Sequence, residues 1–96
     1  YLEALDLGDA FVASGDFVDA AGQFRRAADV MAADGARAEV ARGRLADLRG
    51  TWMKDLRRRR DAAADDAAWF DVIRGLVEFG RTLDIPRDDV LREFEQ

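Results

Sequence analysis

Apolar residues recur along this chain at helical spacing, and the clearest run lies between Leu7 and Gly35. One series, Ala4, Leu7, Gly8 and Phe11, stands before the polar turn Ser14-Gly15-Asp16. A second, Phe17, Ala20, Ala21, Phe24, Ala27, Ala28 and Met31, follows it. Both follow the i, i+3, i+4, i+7 rule of an amphipathic helix and predict antiparallel helices over 5–14 and 17–33. Alanine and glycine where the faces meet let the backbones approach, and the phenylalanines fill the remaining space. A hairpin this short cannot bury its face alone, so the pattern calls for helices stacked beside it.

Asp34-Gly35 reads as a helix stop, because glycine suits the left-handed position after a last turn. The stripe then resumes at Ala38, Ala41, Leu45, Leu48, Trp52 and Leu56. Two versions fit: one helix over 36–60, or a turn at Gly50-Thr51 with Thr51 as the next N-cap. Gly43, Gly50 and Trp52 lie 35 residues after Gly8, Gly15 and Phe17, which tilts the reading towards the turn. Against it, a glycine inside a helix costs only about 1 kcal/mol. Asp65-Asp66 suits a further helix start, followed by the stripe Trp69, Val72, Ile73, Leu76, Gly80 and Leu83. Pro86 opens a last short helix with Val90, Leu91 and Phe94 on its apolar side. The expectation is a single all-α domain over 1–96. It has five or six helices in hairpins of about 1–34, 36–66 and 67–96, with turns at Gly15, Gly50 and Gly80.

The composition agrees: 96 residues, one proline, and a hydrophobic fraction of 49% that is rich in alanine. The core is therefore broad and shallow, and the chain is small for an enzyme with a deep cleft. It opens at Tyr1 and stops inside a helical pattern at Glu95-Gln96, so it reads as a piece of a longer protein. No apolar run reaches the length of a membrane span. The absence of cysteine excludes disulfides and suits the cytoplasm.

Charge is banded. Residues 1–35 carry seven acids and two bases, 36–60 nine bases and three acids, and 61–96 ten acids and four bases. The basic band culminates in Arg57, Arg58, Arg59 and Arg60, with Lys54 and Trp52 just before them. One reading is a nucleic-acid or acidic-partner patch. The other is arginines near a helix C-terminus, favoured by the dipole and paired with acids of flanking helices. The second is preferred, since flanking acids repel phosphates and no other nucleic-acid motif is present. The same alternation of charge would also serve self-association.

Histidine, cysteine and asparagine are absent, and Ser14 is the only serine. Zinc sites of Cys/His type, nucleophilic triads and a histidine base are thereby excluded. The pairs Asp65-Asp66 and Asp88-Asp89 do not converge by themselves, because neighbours on a helix point about 100° apart. They read as caps and solvated helix starts. No enzyme activity, metal or cofactor is expected.

Leu7, Gly8, Phe11, Gly15, Phe17, Ala20, Phe24 and Ala27 carry a resemblance to the tetratricopeptide repeat, in that family's order and spacing. The likeness covers one repeat of roughly 34 residues. Ala4 stands where the family favours a bulky residue, and no proline follows the second helix. The resemblance implies a concave groove lined by the first helix of each hairpin. Carried over by spacing, its wall is Leu2, Leu5, Asp6, Asp9, Val12 and Ala13. It continues through Arg37, Val40, Arg44 and Asp47, then Phe70, Asp71, Arg74, Val77 and Glu78. Asp6 and Asp9 replace the lysine and asparagine with which the family grips C-terminal carboxylates, so a basic or mixed peptide fits the first unit better. Independently of the resemblance, Phe70 and Val77 lie seven apart and off the main stripe, as contact residues often do. The candidate partner-binding set is Leu5, Asp6, Asp9, Val12, Arg44, Phe70, Arg74 and Val77. The expected role is a protein-interaction module taking a partner peptide or helix. The alternatives are a structural spacer without a ligand and a nucleic-acid binder using the basic band.

Overall fold

The computed structural model describes all 96 residues and is entirely α-helical. Five helices follow one another: α1 (Leu2–Ser14), α2 (Phe17–Val30), α3 (Gly35–Ala62), α4 (Asp66–Leu83) and α5 (Arg87–Phe94). Their contacts form two compact units, Tyr1–Arg49 and Gly50–Gln96, with the division falling inside α3. No helix is long and apolar enough to cross a membrane.

In the first unit, α1 ends at Gly15, whose φ of 79° is left-handed. The Gly15 amide donates to the Val12 carbonyl and the Asp16 amide to that of Phe11, at 3.0 and 2.8 Å. This pair of bonds is the glycine-terminated helix end that reverses a chain within two residues. Returning as α2, the chain buries Phe17, Ala20, Ala21, Phe24 and Ala27. The ring of Phe24 lies directly over Gly8, where a β-carbon would come within 2.4 Å of its Cε1. Small residues thus bring the two helices together as the spacing requires.

In the first unit and along α3, three expectations change. First, α2 stops at Val30, and Asp34 starts the next helix instead of ending the last. Its Oδ1 accepts from the Arg37 amide at 3.3 Å, as an N-cap aspartate does. Gly35 is not left-handed. Second, α3 runs through Gly50 without a turn, so no hairpin forms over 36–66. Leu48, Trp52, Met53 and Leu56 are all buried on either side of that glycine. Keeping them on one face is worth far more than the roughly 1 kcal/mol a helical glycine costs. Third, Leu7 is 45% exposed while Leu5 is 5% exposed, so α1 is turned from the expected stripe.

The second unit repeats an up-down-up course. Trp52 meets Phe79 edge to face, with ring centroids 5.4 Å apart. Leu56 fits against Gly75, where a β-carbon would lie 2.6 Å from its Cδ2. These pairs run in opposite order, so the end of α3 and α4 are antiparallel. Asp65, extended, caps α4 by accepting from the Ala68 amide at 2.8 Å. α4 runs on past Gly80, where the spacing calls for a turn, and closes instead at Asp84, the one non-glycine residue with positive φ, at 56°. α5 then returns along α3, with Val90 buried against Gly80.

Candidate functional site

The face α4 turns to α3 carries Val72, Gly75 and Phe79, with Val72 and Phe79 fully buried. That leaves the neighbouring sector of the same helix without a neighbour. Phe70, Ile73 and Val77 are 64%, 52% and 50% exposed, and Trp69 is exposed as well. The expected core stripe through Trp69 and Ile73 is therefore corrected. Its apolar arc is wider than one neighbouring helix covers, and α3 takes only the side centred on Val72 and Phe79.

α5 turns that exposed sector into a groove. Gly80 admits the close approach, since a β-carbon there would lie 3.0 Å from Val90 Cγ2 and 3.3 Å from the Ile85 carbonyl oxygen. The resulting open groove has a volume of about 500 Å³. Its apolar wall is Ile73, Leu76, Val77, Ile85, Val90 and Leu91. Its only ionisable lining is Arg81 and Arg87. Arg81 is in the last turn of α4 and Arg87 opens α5, so both stand at the end of the groove where the chain reverses. Both are exposed, and no carboxylate lies within ion-pair distance of either.

Each arginine of the basic run has an intramolecular partner. Arg57 donates to the Glu93 carbonyl at 3.4 Å, and Arg60 donates to that of Phe94. The Arg60 guanidinium also stacks over the Phe94 ring at 4.9 Å. The two arginines thus satisfy terminal carbonyls of α5, a place where cations are favoured. Arg58 and Arg59 both pair with Asp55, at 2.5 and 2.9 Å. Of the five basic residues singled out, Lys54 alone is exposed without such an engagement.

The residues assigned to a concave groove fare unequally. Leu5 is buried, which removes it from any surface. Tyr1, Leu5 and Asp9 stand one turn apart on one edge of α1. The Tyr1 hydroxyl donates to the Arg37 carbonyl at 3.2 Å, and Asp9 pairs with Arg44 at 3.2 Å. The two contacts run in the same order along both chains, so the start of α3 runs parallel to α1 beside Leu5. Asp9 and Arg44 are brought together and neutralise each other. Val12 is half-buried and Asp6 exposed. Arg74 is exposed on α4, 3.8 Å from Asp71 and outside the groove. Val77 lines the groove, whereas Phe70, three residues before Ile73, is exposed beyond its lining.

Sequence reasoning missed Arg81, Ile85, Arg87 and Leu91 as lining residues and gave Ile73 and Leu76 to the core. The available signal was the width of the apolar arc on α4, where Trp69, Phe70, Val72, Ile73, Leu76 and Val77 exceed a single contact face. No group of three or more acidic side chains converges in a way that would hold a metal ion. Asp65 caps α4 and Asp89 lies 3.4 Å from Arg92. No protein-family model, curated protein or solved structure matches the chain.

Proposed function

We propose that this chain is a non-catalytic protein-interaction module of tetratricopeptide-like helical hairpins. Its docking site is the groove between α4 and α5. The observation that carries the reading is an open apolar groove walled by Ile73, Val77 and Leu91, with two unpaired arginines at one end. Large apolar side chains gathered in a groove with a few fixed charges are what a helix needs to dock its apolar face. The spacing of Gly8, Gly15, Ala20, Phe24 and Ala27 supports the family reading. A cytoplasmic location belongs to the same reading and suits a cysteine-free chain.

Ile73 and Ile85, the chain's only isoleucines, both line the groove, so their methyl resonances report its occupancy directly. An amphipathic helical peptide with leucines at i, i+4 and i+7 should shift both signals. Val77→Asp should weaken that binding at least tenfold with helicity unchanged. Unmoved isoleucine methyls at millimolar peptide would refute the assignment.

A further inference from the structure

We infer that the groove takes an amphipathic helix in one orientation, with the C-terminal turn of that helix, carrying carboxylates, against Arg81 and Arg87. This rests on the groove reading above and adds the partner's chemistry and direction. Charge complementarity is the first argument. Arg81 and Arg87 are the only charged groups lining an otherwise apolar groove, and neither has an intramolecular acid to satisfy it. A basic segment would bring like charge to that end, while an acidic one would complete it. The second argument is geometric. Arg81 closes the exposed row Ile73, Val77 on α4, and Arg87 stands at the same end, so the charge lies at one end of the groove and apolar side chains line the rest. From Ile73 to Arg81 the row rises by eight residues, or roughly 12 Å at 1.5 Å per residue, which matches about two turns of a docked helix.

Direction follows from what a helix end offers. The last carbonyls of a helix lack internal donors and carry the negative pole of its dipole. This molecule already shows arginines answering that need, since Arg57 and Arg60 donate to the Glu93 and Phe94 carbonyls at the end of α5. Arg81 and Arg87 present the same chemistry to an incoming helix, and its N-terminus would meet them with like polarity.

The test uses the full chain and three helix-stapled peptides of one leucine pattern. One carries a glutamate pair in its last turn, one the same pair in its first turn, and one a lysine pair in its last turn. Isoleucine methyl shifts and anisotropy give the affinities. Two exposed pairs of this kind should make the first peptide bind about two- to thirtyfold tighter than the third. The second should fall between them. Converting Arg81→Gln and Arg87→Gln together should bring all three to one affinity. Equal affinities on the unaltered chain, or a preference for lysine, would overturn this inference and leave the groove standing. Failure of every peptide to move Ile73 and Ile85 would overturn both. Concentration-dependent self-association that fills the groove without added peptide, and that survives the arginine substitutions, would also overturn it.

Discussion

Gly8 and Gly50 both lie inside helices, and alanine at each should change stability in opposite directions. In both places the substitution removes a glycine from a helix interior, which by itself favours folding by about 1 kcal/mol. At Gly50 nothing lies within 4 Å of the new methyl group, so that gain stands undiminished. At Gly8 the methyl carbon would fall 2.4, 2.8 and 2.9 Å from Cε1, Cδ1 and Cζ of Phe24. Comfortable carbon contacts are about 3.5–4.0 Å, so the ring or the helix must retreat by about 1 Å. Phe24 is fully buried on a face shared with Ala20, Ala21 and Ala27, all of them without exposed surface, so the ring has little room to yield. Overpacking of this kind costs about 1–3 kcal/mol. The balance is a loss of about 1 kcal/mol for Gly8→Ala and a gain of similar size for Gly50→Ala. For a domain of this length each kcal/mol moves Tm by about 4–8 °C, so the two variants should melt about 8–16 °C apart. Thermal and urea unfolding followed by circular dichroism would measure it. A stabilised Gly8→Ala would show that α1 and α2 are not packed through Gly8, and a destabilised Gly50→Ala would show that α3 bends there.

Asp84 holds a left-handed conformation that glycine adopts without strain, so Asp84→Gly should raise the urea midpoint by an amount equivalent to about 0.5–1 kcal/mol. Asp65→Ala removes the acceptor for the Ala68 amide and should cost about 1 kcal/mol in the same assay. Phe79→Ala empties a site packed edge to face on Trp52 and should cost about 3–5 kcal/mol, seen as a large fall in Tm and a shift in Trp52 fluorescence.

Local chemistry is written plainly in this chain. Gly15 in a polar turn, the Ala20-Ala21-Phe24-Ala27 series and the Asp65 cap can each be placed from residues a few positions apart. Each obeys a rule that operates within one or two turns of helix. The aspartate at 34 shows the limit of such rules: the same residue suits the end of one helix or the start of the next, and only its bond to the Arg37 amide tells which. Of the candidate site, Val77 was legible because it falls off the main stripe, and Phe70, off the stripe as well, is exposed beyond the groove. Arg81 and Arg87 were not, since nothing local distinguishes them from other surface arginines.

Sequence alone determined that this chain is helical, where its first hairpin turns, and which residues are apolar on each helix. Tertiary structure decided the rest: that α3 continues through Gly50, that Leu5 is buried while Leu7 is exposed, and that α4 spends Val72 and Phe79 on the core while leaving Phe70, Ile73 and Val77 outside. The reason is physical. Periodicity is a property of one helix and is fixed by bonds four residues apart, whereas the sector of that helix that meets a neighbour depends on side chains many residues away. Trp52, Leu56 and Val90 make that choice for α4.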